Sequence, residues 1–116
     1  MITLISFGFK YRRPPSNNYI DVSFIKNPAR DKKWSLFSKI DDDMIKFVLN
    51  HNALTEIIDK VYNLIIALSE QDDDLRFAFG CSAGRHRSPI FVKLLEEKFN
   101  DNKIAIKVKH LELSGD

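Results

Sequence analysis

Residues 75–99 read LRFAFGCSAGRHRSPIFVKLLEEKF, and this one stretch predicts a strand, a loop and a helix in that order. Leu75 to Gly80 is a short apolar run closed by glycine, the pattern of a buried strand. Ile90, Phe91, Leu94, Leu95 and Phe99 recur at helical spacing behind Ser88-Pro89, which predicts serine as the N-cap and proline as the first helical residue. Between strand and helix lies Cys81-Ser82-Ala83-Gly84-Arg85-His86-Arg87-Ser88. Ala83 and Gly84 carry no bulk, so successive backbone N–H groups can turn inward as a nest. The following helix aims its positive end and unpaired N–H groups at the same spot. Such a loop is built to cradle a phosphate dianion. Arg87 offers a planar pair of donors to two phosphate oxygens, which a lysine cannot match. Arg85 is read as long-range attraction, and one of Arg85 and His86 is expected to face solvent or the sheet.

Outward from this stretch, Lys103 to His110 alternates Ile104, Ile106 and Val108 with Lys103, Lys107 and Lys109, a strand with one wet face near a sheet edge. Leu75 to His110 is then a βαβ unit, right-handed by the usual rule. Toward the N-terminus, Ile2 to Phe9 (ITLISFGF) is almost continuously apolar, as a strand covered on both faces must be. Lys10 to Asn18 holds two prolines and reads as a loop whose cations follow the strand's carboxyl end. Tyr19 to Ile25 reads as a second strand, and Lys26 to Asp41 as an irregular excursion that Trp34 anchors to the core. Asp41, Asp42 and Asp43 precede Met44, Phe47 and Val48, and acids there suit the positive end of a helix. A longer helix follows, with Leu54, Ile57, Ile58, Val61, Ile65 and Leu68 as its core stripe. His51, in the polar hinge between the two helices, is read as solvated surface. The prediction is an α/β fold, a single domain over residues 1–116. Its sheet is mainly parallel, of four strands or slightly more, flanked by helices, with the phosphate loop between strand three and the next helix.

The 116 residues are enough to bury a core without staples, and 18 Lys+Arg against 16 Asp+Glu leave a net charge of only +2. That balance argues against a surface devoted wholly to nucleic acid or membrane, so any anion site is local. The lone cysteine, Cys81, excludes an internal disulfide and fits a reducing compartment. Met1 to Phe9 lacks a basic leader, and no apolar span is long enough to cross a bilayer, so the sequence predicts a soluble, cytoplasmic chain with no membrane partner. Neither a cofactor nor a metal is expected.

The chemistry of the loop extends beyond phosphate. The helix end and adjacent guanidinium groups favour the thiolate of Cys81, which makes it a candidate nucleophile; the alternative is a small buried residue that lets the loop pack. Ligands of parallel sheets bind beyond the carboxyl ends of the strands, so Lys10, Asn27 and His110 are expected to border the loop. Asp21, odd for a buried strand position, is read either as a ligand for substrate hydroxyls or as a partner for Lys10 or an arginine. The candidate ligand set is therefore Lys10, Asp21, Asn27, Cys81, Ser82, Ala83, Gly84, Arg85, His86, Arg87, Ser88 and His110.

Two families share these motifs. Ser6-Phe7-Gly8-Phe9-Lys10-Tyr11, Asp21-Val22-Ser23-Phe24, Asn27-Pro28, Gly80-Cys81 through Arg87-Ser88, and Lys109-His110 make the chain resemble, over nearly its whole length, the C-terminal domain of the RNase adapter protein RapZ. The resemblance implies a non-enzymatic domain that binds an amino-sugar phosphate or nucleotide sugar, contributes to RNA binding and self-associates. The family's usual Cys-Thr-Gly-Gly-x-His-Arg-Ser stands here as Cys81 through Ser88, a family glycine is replaced by Arg12, and family arginines are replaced by Ser23 and Leu111. These departures imply a phosphate cradle that is kept while the rest of the pocket is re-aimed. The loop alone is also similar to the signature of cysteine-dependent protein tyrosine and dual-specificity phosphatases, met by Cys81, Arg87 and Ser88. That likeness implies attack by the Cys81 thiolate, charge stabilisation by Arg87 and a separate acid, for which Asp41, Asp42 and Asp43 are candidates. Three hypotheses follow: a binding or sensing module, a hydrolase, and an RNA-binding adapter using cations such as Lys10, Arg12, Arg13, Lys103, Lys107 and Lys109.

Overall fold

Strand β1 (Ile2–Gly8) is buried at every position because it takes a hydrogen-bonded neighbour on each side and packing on both faces. The computed structural model of the chain describes residues 1–51 and 53–113. Among them, β1 forms one parallel sheet with β2 (Tyr19–Asp21), β3 (Leu75–Cys81) and β4 (Ile106–His110), in the order β2-β3-β1-β4. β1 pairs with β3 from Ile2 opposite Leu75 to Gly8 opposite Cys81, and with β4 from Ile2 opposite Ile106 to Ser6 opposite His110. This central place is what a near-continuous apolar run requires.

Three helices, α1 (Asp42–His51), α2 (Leu54–Ser69) and α3 (Arg87–Asp101), pack on the sheet. Met44, Val48, Ile58, Ile65, Ile90, Phe91, Leu95 and Phe99 from these helices join Leu4, Phe77 and Phe79 in one core cluster. Side chains alternate along a strand, so Ile5, Phe7 and Ala78 point to the opposite face, where Phe9 and Leu111 close a smaller cluster. The helices thus cover one face of the sheet. Asp41 starts α1 by accepting the Met44 amide on Oδ1 at 2.7 Å, and Asp42 and Asp43 lie in the first turn. Trp34 packs against the core edge-on to Phe47, with ring centroids 5.4 Å apart. No helix among the described residues is long and apolar enough to cross a membrane.

Several expected boundaries move. β2 ends at Asp21 and not at Ile25, because the Ile25 amide turns back to the Val22 carbonyl at 3.1 Å. β4 begins at Ile106 and not at Lys103, which sits in a turn at φ +59°. It lies at the sheet edge with Lys107 and Lys109 exposed, as its alternation requires, but beside β1, so the connection through α3 passes over one strand. Helix α3 starts at Arg87 with His86 as its N-cap, so Ser88 is not the cap. The first helical hydrogen bond runs from the Ile90 amide to the His86 carbonyl at 2.9 Å, and Pro89 fits because the first turn needs no amide there. His51 is the last residue of α1, and its expected surface role lies outside the described residues.

Candidate functional site

Parallel pairing continues past the strands. The Phe9 amide bonds the Cys81 carbonyl at 2.9 Å and the Lys10 amide bonds the Ser82 carbonyl at 3.0 Å, which sets Lys10 beside the loop. Gly84 has φ +70°, and a Cβ there would meet the Gly8 nitrogen at 2.6 Å and the Phe7 carbonyl carbon at 2.7 Å. Only glycine fits, and its absent side chain lets the loop backbone lie against the end of β1. Among the described residues, no backbone carbonyl accepts from an amide of Ser82, Ala83, Gly84, Arg85 or His86.

These elements enclose a cleft of about 140 Å³ at the carboxyl ends of the strands. Lys10 and Asn27 line it together with Cys81, Ser82, Ala83, Arg85, His86 and Arg87; Leu36 is the addition the sequence did not point to. Among the described residues its charged lining is basic, and no carboxylate contributes. Asn27 is held in place by its own turn, its Oδ1 accepting the Ala29 amide at 3.0 Å. Arg87 donates from Nη1 to the Ser23 carbonyl at 3.1 Å, and among the described residues no carboxylate pairs with it. His86 is buried, and its Nε2 lies 2.7 Å from the Ser38 carbonyl; a carbonyl can only accept, so Nε2 carries the proton. Arg85 is half-buried with its guanidinium over the Phe37 ring, 5.4 Å from the centroid. Both side chains grip the 36–40 segment, and Arg85, partly exposed, borders the clefts beside it.

The remaining candidates fall elsewhere. Asp21 is exposed, so the burial that singled it out does not hold; its Oδ1 accepts the Ser23 amide at 2.9 Å in a turn. His110 sits with Nδ1 2.7 Å from the Ser6 hydroxyl and lines a separate cleft with Val108, Lys109 and Leu111. Gly84 and Ser88 are buried and do not line the loop cleft. Cys81 is 2% exposed, its thiol donating to Ser88 Oγ at 3.4 Å while that hydroxyl donates to the Phe7 carbonyl at 3.2 Å. Of the acids proposed for a hydrolase, Asp41 caps α1 and Asp43 pairs with Lys33 Nζ at 2.9 Å, whose hydrogen bond holds the Asp43 carboxyl below its ordinary range. None of Asp41, Asp42 and Asp43 lines the cleft.

Arg12 does not serve the pocket either. It donates Nε and Nη2 to Glu112, a residue no local pattern singles out. Leu36, Phe37 and Ser38 were equally hidden, since an aromatic in an irregular stretch signals core anchoring as readily as a ligand platform.

A parallel α/β domain with a basic cleft at the strand carboxyl ends is the class that this fold and site define. The chain belongs to the RapZ C-terminal domain family, whose model matches residues 1–114. It is similar to a nucleotide-binding protein of Desulforudis audaxviator, at 31% identity over 99% of this chain and 41% of the relative. Another nucleotide-binding protein, from Fervidobacterium nodosum, is 31% identical over 97% of this chain and 43% of its own length. The chain thus spans about two-fifths of the length of these curated relatives.

Proposed function

We propose that this domain is a binding module, regulatory in role, for a phosphorylated small molecule of the amino-sugar phosphate or nucleotide-sugar class. The observation that carries this reading is the convergence of Lys10, Arg85 and Arg87 on one cleft whose loop amides, among the described residues, have no backbone carbonyl acceptor. A phosphate dianion supplies what those donors lack, and a cleft lined by Lys10, Arg85 and Arg87 attracts it. Arg87, held by one donor on the Ser23 carbonyl, keeps further N–H groups for two phosphate oxygens. The name borne by the relatives, nucleotide-binding protein, agrees with this class. A reducing, cytoplasmic setting suits the unpaired Cys81.

The test is a thermal-shift panel of inorganic phosphate, sugar phosphates and nucleotide sugars on wild type and Arg87→Ala. Stabilisation by phosphorylated compounds that the variant loses supports the proposal, and no shift with any of them removes it.

A second reading, RNA binding by a self-associating domain, draws on Arg76, Lys107 and Lys109. The strand register puts these cations on the sheet face opposite the helices, and all three are exposed. Affinity for RNA that falls steeply with added salt supports it; undetectable binding in dilute buffer counts against it.

A further inference from the structure

We propose that the ligand of the loop cleft carries a nucleobase, and that Phe37 and Arg85 form the platform on which the base stacks. This rests on the phosphate reading of the Cys81–Ser88 loop. Phe37 is 76% exposed, the most exposed large hydrophobic side chain among the described residues. Its ring is not adrift, because the Arg85 guanidinium lies over it at 5.4 Å. The next residue of each segment locks the pair: buried His86 donates to the Ser38 carbonyl at 2.7 Å. The platform is thereby fastened to the phosphate loop at two successive positions.

Size and charge decide what lies on it. The loop cleft, at about 140 Å³, is below the range of about 300 to 1,000 Å³ usual for small-molecule sites. Beside it is a cleft of about 500 Å³, lined by Phe37, Ile40, Leu113 and Lys39, that shares Leu36 and Arg85 as a common wall. A phosphate at the loop therefore directs its organic part across Arg85 toward Phe37. An amino sugar would bring an ammonium group into this space, where Lys10, Lys39, Arg85 and Arg87 repel it and, among the described residues, no carboxylate lines either cleft. Glu112, in a further cleft that Arg85 borders, is committed to Arg12. A flat, uncharged aromatic ring meets none of these objections, and guanidinium planes and exposed phenyl rings are the surfaces on which bases stack.

The experiment is calorimetric titration with inorganic phosphate, ribose 5-phosphate, glucosamine 6-phosphate, and the 5′-monophosphates of adenosine and uridine. Wild type should bind at least one mononucleotide about tenfold tighter than ribose 5-phosphate. Phe37→Ala should remove that preference while leaving ribose 5-phosphate unchanged, and Phe37→Trp should retain it; the side chain is exposed, and melting temperatures verify that both variants fold. Mononucleotides no tighter than ribose 5-phosphate, glucosamine 6-phosphate tighter than both, or a preference that survives Phe37→Ala overturns the platform while the phosphate reading stands. Failure of every compound, inorganic phosphate included, overturns both.

Discussion

Arg12 and Glu112 meet in a two-point ion pair, Nε to Oε2 at 2.7 Å and Nη2 to Oε1 at 2.9 Å, and the same Oε2 accepts the Gly8 amide at 3.1 Å. The carboxylate clips the segment after β4 onto the end of β1. The Arg12 hydrogen bonds hold the Glu112 carboxyl below its ordinary value of 4.5, against an opposing push from desolvation. A carboxyl depressed in the folded state stabilises at pH values above its unfolded range, and that contribution disappears as the pH falls through the folded value. Glu112→Gln should therefore melt below wild type at neutral pH, and the gap should close at pH values well below 4.5. A gap unchanged by acid would show that packing, and not charge, holds this clip.

Gly84→Ala should cost at least about 1 kcal/mol in urea unfolding, because the position combines a left-handed φ with direct contact to β1. A fully stable alanine variant would mean that the loop backbone can withdraw from Gly8 and that the loop is not rigid.

Arg87→Lys separates charge from geometry. If the planar guanidinium grips phosphate, lysine should weaken inorganic phosphate binding about tenfold and alanine about 100-fold, the loss of one and then two charge-assisted hydrogen bonds. Binding by the lysine variant equal to wild type removes the two-point contact.

The buried thiol bears on catalysis. Cys81 is 2% exposed with its thiol on Ser88, and among the described residues no acid lines the cleft, so release of phosphate from an aryl phosphate should stay at the buffer rate. Cys81→Ala should still bind phosphate. Turnover by wild type that this variant abolishes would restore the hydrolase reading. Ser88→Ala should lower stability by about 1 kcal/mol, since its hydroxyl serves both the Phe7 carbonyl and the Cys81 thiol.

Periodicity and local sterics alone determined much of this protein. The unbroken apolar run of β1, the 3.6-residue stripe of α2, the acids at the start of α1 and the small residues of the Cys81–Ser88 loop each report on neighbours a few residues away. The sheet's parallel course, its lysine-lined edge and the approach of Lys10 and Asn27 to the loop followed from those elements. What only the tertiary structure decided is which long side chains find which distant partners. Arg12 took Glu112 and left the pocket, His86 took the Ser38 carbonyl, and Asp21 stayed in solvent because β2 is a short edge strand. A cation, a ring nitrogen or a carboxylate is satisfied by many partners, and its choice among them depends on which backbone the folded chain brings within reach.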